Sequence, residues 1–259
     1  MSIIEAIILG IVQGLTEFLP VSSSGHIELG KAVLGTQDVG IDFTILVHVA
    51  TALASVLVFR KEIVELIQGM LKFRYNESWE YSLKLILASV PVAIVGLLYK
   101  DEVEALFQGD LALVGSMLLI TAALLLITTF IKGTGKSIGW HHAVVIGIAQ
   151  MFAVMPGISR SGATIAVALI MQIDKAKAAK FSFLMVLIPI FGQALLDGID
   201  IYKDPSLWSL GAGVSISGFV AAFASGLFAC TAMLKIVQTG KLYYFSIYCV
   251  LVGLVAIFA

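Results

Sequence analysis

The sequence is poor in charge and in cysteine. Charged residues make up 13% of its 259 residues, whereas soluble domains average about 25%. The net charge of −1 provides no broad basic surface, so we expect no nucleic-acid partner. The two cysteines, Cys230 and Cys249, lie in apolar stretches. We expect them to pack there rather than to form a disulfide or a metal pair.

The first twenty residues lack the features of a cleaved signal peptide. They have no basic start and no small-x-small cleavage site, and they carry Glu5, Gln13 and Glu17. We therefore expect this segment to remain in the protein and to form part of its structure.

Apolar residues are abundant instead. They make up 59% of the chain, against about 45–50% in soluble domains. Many form runs close to the ~20 residues that cross a bilayer as a helix, and the strict alternation of a membrane β-barrel is absent. The sequence therefore predicts an all-α integral membrane protein with one polytopic domain over residues 1–259. The six best runs are Ile41–Phe59, Ser82–Tyr99, Leu111–Ile131, Phe181–Leu196, Trp208–Leu234 and Leu242–Ala259.

Two stretches of the chain resemble each other. Gly10–Gly25 reads GIVQGLTEFLPVSSSG and Gly147–Gly162 reads GIAQMFAVMPGISRSG, with six identities at one constant offset. Each breaks an apolar helix with Pro, followed by Ser and Gly. We interpret this as an internal duplication, with repeats at approximately 1–131 and 132–259.

The apolar piece after each break is too short to cross a bilayer, which favours a re-entrant hairpin. The basic residues favour the same interpretation, because loops that face the cytoplasm collect Lys and Arg. If neither broken pair crosses, four segments with 12 of the 16 basic residues share one side. A single kinked span over Ala143–Ile173 would remove that bias. We therefore predict six transmembrane helices plus two re-entrant helical hairpins in an inverted-topology repeat, the first hairpin entering from outside and the second from the cytoplasm. The four basic segments are Arg60–Lys84, Lys132–His141, Asp174–Lys180 and Lys235–Lys241.

Polar side chains gather at the two breaks. Gln13 and Glu17 are four residues apart and share a helix face, and a carboxylate inside a membrane helix is a functional candidate. Helix N-termini and a guanidinium both favour phosphate, so the pattern predicts a site for a multiply charged anion. The other candidates are Ser22, Ser23, Ser24, Gly25 and His26 at the first break, and Ser159, Arg160, Ser161 and Thr164 at the second.

Several of these residues also have plain structural interpretations. Ser24 and Ser161 precede helices, where serine is commonly an N-cap. Glu17 could be a structural partner of Arg160. His48, in the middle of an apolar run, is expected to be a hydrogen-bonded core histidine.

The two motifs resemble those of the undecaprenyl pyrophosphate phosphatase family, the BacA type associated with bacitracin resistance. That family is marked by an (E/Q)-x-x-x-E segment running into P-V-S-S-[ST]-G-H, and by P-G-x-S-R-S-G-A-T. Gln13–Glu17, Pro20–His26 and Pro156–Thr164 match in full and in order, and length and hydropathy agree end to end. Gln rather than Glu at the first motif position weakens a two-carboxylate metal site.

The resemblance implies a reaction and a setting. Undecaprenyl pyrophosphate would lose its terminal phosphate to water, giving the monophosphate carrier that is used again in cell-wall synthesis. It also implies a divalent cation, Mg²⁺ or Ca²⁺, and a multi-pass protein of the bacterial inner membrane with its site facing outside. The substrate would be a prenyl pyrophosphate lipid in the bilayer, and a homodimer is left open as the oligomeric state. Parts of the two motifs also resemble lipid phosphatases of the phosphatidic-acid type. Those proteins need a further histidine after the arginine motif, whereas the last histidine here, His142, precedes Arg160. The sequence therefore does not fit that family.

Carried over position by position, Ser23 becomes the first choice for the nucleophile, with His26 and Glu17 as base, acid or orienting groups. A metal-activated water, or His26 itself as nucleophile, stays open. The resemblance gives Glu17 as the candidate metal ligand. Arg160 would stabilise charge on the transferred group, and the phosphates would be bound by Gln13, Ser22, Ser24, Gly25, Ser159, Ser161 and Thr164. The alternative from another class is a transporter or flippase of prenyl phosphates, since inverted repeats and broken helices suit alternating access.

Overall fold

The computed structural model describes residues 1–35, 40–107, 109–131 and 135–258, and every regular element in these ranges is helical. The prediction of an all-α protein is therefore confirmed. The α-helices are α1 (Ile3–Phe18), α2 (Ser23–Leu34), α3 (Ile41–Val58), α4 (Arg60–Met70), α5 (Glu77–Leu98), α6 (Lys100–Ala105), α7 (Leu111–Thr128), α8 (Trp140–Phe152), α9 (Arg160–Ile170), α10 (Lys175–Met185), α11 (Leu187–Lys203), α12 (Ala212–Thr239) and α13 (Tyr243–Phe258), with a short 3₁₀ turn at Pro205–Leu207.

Four long apolar helical stretches in the described residues could each cross a membrane: α5, α7, α10 with α11, and α12. A fifth is the pair α3 and α4, which bends by 77° at Phe59. Helix α13 is apolar but has only 16 residues. A multi-pass helical membrane protein, as predicted, is the architecture that these lengths define.

The run Phe181–Leu196 was expected to be one continuous helix, and the structure divides it between α10 and α11 at Val186. Pro189 explains the break, because proline has no N–H to donate to the carbonyl four residues earlier. That carbonyl belongs to Met185 and accepts a 3.3 Å hydrogen bond from the Ser89 hydroxyl of α5 instead. A neighbouring helix therefore satisfies the freed group, as the bilayer interior requires.

The basic segments contact one another at one end of the bundle. The Lys84 ammonium donates to the carbonyl of Ile138 at 2.8 Å, and Lys180 lies 3.2 Å from Glu62. At the other end, the carboxylate of Asp42 accepts hydrogen bonds of 2.9 Å from the backbone N–H and the hydroxyl of Ser209.

Helices from the first half of the chain pack against helices from the second half. Helix α1 lies along α12, and α8 lies along α5. A Cβ on Gly10 would stand 2.6 Å from the carbonyl oxygen of Gly218, and one on Gly147 would stand 2.5 Å from that of Ala88. Glycine is needed at both places because the backbones touch, a packing mode common between membrane helices. Gly10 and Gly147 are equivalent positions in the two repeated stretches.

Candidate active site

The two broken helices meet at their breaks. The N–H of Gly157 donates to the hydroxyl of Ser22 at 3.2 Å, across 135 positions of the chain. The hydroxyl of Ser161 donates to the carbonyl of Leu19 at 3.4 Å. The structure therefore brings the first motif and the second into direct contact inside the bundle.

Ser22 builds the first break. It takes a left-handed backbone conformation with φ of 71°, which for a residue other than glycine costs on the order of 1–3 kcal/mol. Its hydroxyl caps α2 by accepting from the N–H of Gly25 at 3.2 Å, and it lies 3.2 Å from the hydroxyl of Ser24. Together with the bond from Gly157, these contacts hold the strained turn in place.

Ser159 builds the second break in the same way. Its hydroxyl accepts from the N–H of Gly162 at 3.0 Å and lies 3.3 Å from the hydroxyl of Ser161. The caps of α2 and α9 are thus Ser22 and Ser159. The interpretation of Ser24 and Ser161 as N-caps is wrong. Each is the second residue of its helix, and its hydroxyl contacts that of the capping serine.

Glu17 lies at the centre of the site, with its side chain only 6% exposed. Its Oε2 accepts from the Ser23 hydroxyl at 2.6 Å and from the Gln13 amide at 2.9 Å. His48 Nε2 stands 3.7 Å from the same oxygen, and Arg160 stands 3.8 Å from Oε1. The carboxylate therefore has hydrogen-bond donors and positive charge around it, which is what a buried ionised acid requires.

Arg160 is the first residue of α9, and its side chain is 29% exposed. At 3.8 Å its contact with Glu17 is electrostatic and is too long for a hydrogen bond. The guanidinium therefore keeps donor groups for an anion. A cavity lies beside it, lined by Glu17, Phe18, Arg160, Ser161, Ser182, Phe183 and Val186.

His26 is held apart from this pair. Its Nδ1 lies 2.8 Å from the carbonyl of Ser22, and its Nε2 lies 2.7 Å from the Tyr248 hydroxyl of α13. Among the described residues, neither ring nitrogen hydrogen-bonds to Ser23. The structure thus brings Glu17, Ser23 and Arg160 together, whereas His26 bonds to the carbonyl of Ser22 and to Tyr248.

Thr164 lies behind Arg160 rather than in the cavity. It is 1% exposed, and its hydroxyl donates to the carbonyl of Arg160 at 2.8 Å and contacts Ser182. Gly25 lies against Gly157: a Cβ added to Gly25 would be 3.2 Å from the Cα of Gly157. Both positions fix how the helices meet at the site.

Three neighbours of the site were not predicted to belong to it: His48, Tyr248 and Ser182. His48 does donate from Nδ1 to the carbonyl of Thr44 at 2.8 Å, as a core histidine would. Its other nitrogen faces Glu17, however, and its position in the middle of a membrane helix is the signal that could have found it. Tyr248 stands in the apolar helix α13 and Ser182 in the lysine-bearing helix α10, and neither has a motif around it.

A cation at this site would find few protein ligands. The described residues contain no group of three His, Cys, Asp or Glu side chains that could hold a metal. The Nε2 of Gln13 donates to Glu17, and its Oε1 is buried without a hydrogen-bond partner. If the amide turned its oxygen toward Glu17, one carboxylate and one amide oxygen would fit an ion such as Mg²⁺, which commonly takes one or two carboxylates and completes its shell with water and substrate phosphates.

Fold and site define a multi-pass helical membrane protein in which two broken helices meet beside a buried carboxylate and an arginine. The family model described as bacitracin resistance protein BacA matches residues 6–255. The undecaprenyl-diphosphatase of Christiangramia forsetii is 50% identical, over 99% of this chain and 98% of the relative. That of Bacteroides fragilis is 48% identical, over 98% and 96%, and that of Methanococcus vannielii is 40% identical, over 98% and 99%. The chain belongs to the BacA family.

Proposed function

We propose that this protein hydrolyses undecaprenyl pyrophosphate to undecaprenyl phosphate and inorganic phosphate, which recycles the lipid carrier for cell-wall synthesis. Membership of the BacA family and the relatives named undecaprenyl-diphosphatase support the reaction. The observation that carries the chemistry is the 2.6 Å hydrogen bond from the Ser23 hydroxyl to Glu17, with Arg160 on the other carboxylate oxygen.

Ser23 is the nucleophile in this proposal, and Glu17 is its base. The Ser23 oxygen attacks the terminal phosphorus, and the hydroxyl proton passes to Glu17 along the existing hydrogen bond. The bond from that phosphorus to the bridging oxygen breaks, and undecaprenyl phosphate leaves with the bonding electrons. Water then attacks the phosphoserine, the bond from phosphorus to the Ser23 oxygen breaks, Glu17 returns its proton to that oxygen, and both protons of the water leave with inorganic phosphate.

Arg160 and the two helix N-termini bind the phosphates. Helix α9 begins at Arg160 and α2 begins at Ser23, so both present free N–H groups and a positive dipole end. The guanidinium adds a planar set of donors that matches phosphate oxygens. These groups neutralise the charge that spreads over the transferred phosphoryl group in the transition state.

Glu17 and Gln13 would hold a divalent cation, Mg²⁺ or Ca²⁺, together with the substrate. When bound, the cation would offset negative charge on the pyrophosphate. The preference of Mg²⁺ for substrate phosphates over an all-protein cage favours Mg²⁺ at a site with one carboxylate.

Two other attacking groups were open at the level of sequence: His26 and a metal-activated water. The contacts of His26 argue against it, because attack by Nε2 would require the bond to Tyr248 to break first. A metal-activated water would leave the Ser23 hydroxyl without a chemical role, and substitution of Ser23 distinguishes the two mechanisms.

The membrane arrangement is six spans and two re-entrant hairpins. Backbone bonds at the base of the second hairpin support this, since Lys136 donates to the carbonyl of Gln172 at 3.2 Å and accepts from Asp174 at 3.0 Å. The chain therefore enters and leaves that hairpin at one end of the bundle. For the first hairpin, Met1 and Leu34 pack against the same buried cluster. The matched serine caps of α2 and α9 support repeats over residues 1–131 and 132–259, and entry of the two hairpins from opposite sides would make those repeats inverted in topology.

The orientation follows from the basic segments, which would face the cytoplasm. The first hairpin then enters from outside and carries Glu17 and Ser23 with it, so the site faces outside from the bacterial inner membrane. The oligomeric state, for which the sequence left a homodimer open, stays open.

The decisive test is phosphate release by the purified protein in detergent, supplied with a prenyl pyrophosphate and Mg²⁺. Detergent removes the two compartments that transport needs, so turnover there requires hydrolysis. Steady release of inorganic phosphate by the wild type, and its absence in Ser23→Ala, is the expected result. If the wild type binds the lipid but releases no phosphate, the hydrolase assignment fails and the flippase alternative replaces it.

A further inference from the structure

Each ring nitrogen of His26 has a hydrogen-bond partner, one of which can only accept and the other of which can also donate. On one side is the carbonyl oxygen of Ser22, 2.8 Å from Nδ1. On the other is the hydroxyl of Tyr248, 2.7 Å from Nε2, with the two rings inclined by only 12°. Tyr248 is 222 positions away in the sequence, on the last helix.

These partners determine which nitrogen carries the proton. A carbonyl oxygen can only accept, so Nδ1 must be the donor in that bond. In the neutral imidazole Nε2 then has a lone pair, and the Tyr248 hydroxyl is the donor to it. A chain of hydrogen bonds therefore runs from Tyr248 through His26 to the carbonyl of Ser22.

The carbonyl at the end of this chain belongs to the strained residue of the first break. Ser22 has a φ of 71°, and it directly precedes Ser23. Any rotation about the backbone of Ser22 would move the Ser23 hydroxyl away from Glu17, where it now donates at 2.6 Å. A small displacement at a reacting group can cost a large factor in rate.

We propose that Tyr248 is a positioning residue of the hydrolytic site: its hydroxyl donates to Nε2 and holds the His26 ring in the orientation in which Nδ1–H supports the Ser22 carbonyl, and so aims Ser23. The proposal rests on the proposed function, because it gives Ser23 the reacting oxygen. It also gives His26 a structural task at the site in place of proton transfer, and it brings α13 into the catalytic machinery.

Kinetics of Tyr248→Phe form the first test. The variant keeps the ring against His26 and loses only the hydroxyl. We expect kcat to fall by about 10- to 100-fold with KM little changed, since Arg160 and the helix N-termini are untouched. Tyr244→Phe is the matched control, because Tyr244 is on the same helix with its side chain 56% exposed. It should behave like the wild type.

Nitrogen NMR of the protein with isotope-labelled histidine is the second test. The chain has four histidines, and the signal lost in His26→Asn identifies His26. In mildly alkaline buffer the wild type should show a protonated Nδ1 and an unprotonated Nε2 for this residue. In Tyr248→Phe the Nε2 resonance should shift as its hydrogen bond is lost, and the Nδ1 proton should exchange faster with water because the ring is no longer held on the Ser22 carbonyl. Tyr244→Phe should leave both signals unchanged.

A kcat for Tyr248→Phe within about threefold of the wild type, roughly 0.6 kcal/mol, overturns the proposal. An unchanged His26 signal in that variant also overturns it, even if the rate falls, because Tyr248 would then act by another route. The NMR measurement does not depend on turnover. If the wild type releases no phosphate, the proposed function fails, and the NMR result still shows whether Tyr248 holds the His26 ring.

Discussion

The Ser23 hydroxyl donates a 2.6 Å hydrogen bond to Oε2 of Glu17, although the two residues lie on opposite sides of a helix break. This contact joins a candidate nucleophile to a candidate base inside the bundle. Several consequences of it, and of the contacts around it, can be measured.

Ser23→Ala should nearly abolish turnover, because the attacking oxygen is removed. Among the described residues the hydroxyl bonds only to Glu17, which keeps the Gln13 amide and the charge of Arg160, so the variant should still fold, with a moderate fall in melting temperature in detergent. Ser116→Ala is a suitable control, since that serine is exposed and bonds only within its own helix. A Ser23→Ala rate above about a tenth of the wild type, a loss of only ~1.4 kcal/mol, would show that the serine is not the nucleophile.

Ser22→Ala should act mainly on stability. It removes the cap of α2 and the bond from Gly157, and loss of a serine cap typically costs about 0.5–2 kcal/mol. Ser159→Ala removes the equivalent cap of α9 and should cost a similar amount. Thermal unfolding in detergent measures both, with turnover reduced less than in Ser23→Ala. If Ser22→Ala melts like the wild type but has no activity, the nucleophile is Ser22 and the assignment to Ser23 is wrong.

Arg160 is tested by comparing Arg160→Lys with Arg160→Ala. Lysine keeps the charge near Glu17 but lacks the planar donor set that fits phosphate. Arg160→Lys should therefore melt near the wild-type temperature and lose most of its activity, and Arg160→Ala should also melt lower, because Glu17 loses a neighbouring charge. Arg60→Lys, on an exposed position of α4, provides the control. Near-normal turnover in Arg160→Lys would leave Arg160 as a structural partner of Glu17 only.

The membrane arrangement is tested by single cysteines at positions 177, 204 and 241, in a background with Cys230 and Cys249 replaced by alanine. Lys177, Asp204 and Lys241 are all exposed, so differences in labelling report the side of the membrane and not burial. An impermeant thiol reagent applied to intact cells should label the cysteine at 204 and spare those at 177 and 241. Equal labelling at 177 and 204 would contradict the hairpin at α8 and α9.

Cation dependence is tested by chelation. EDTA should reduce phosphate release, and Mg²⁺ should restore it, since Glu17 and Gln13 offer oxygens for an ion that also binds the substrate. Gln13→Leu should raise the Mg²⁺ concentration needed for half-maximal rate, whereas Ser116→Ala should not. Full activity in the presence of EDTA would rule out the cation.

Much of the fold could be predicted because its signals are local. The apolar runs place a helix within each of the six predicted spans, since a membrane leaves the backbone few alternatives. Proline followed by serine and glycine correctly predicted the position of both helix breaks, because the effects of proline and of helix capping extend over only a few residues. The division of α10 from α11 was missed, although Pro189 was the signal for it.

The sequence by itself determined the class of protein, the two breaks and the family motifs. Only the tertiary structure decided which side chains meet at the breaks: His48 and Arg160 around Glu17, and Tyr248 on His26. The physical reason is that lipid is as apolar as a helix interface, so the face that packs against protein has no periodic signature. Helix α7, apolar on every side, shows this, and its buried Thr121 is found only through its bonds to Gly157 and Ser159. Rotation of each helix about its axis is set by close contacts such as those at Gly10 and Gly147, and these depend on residues far away in the chain.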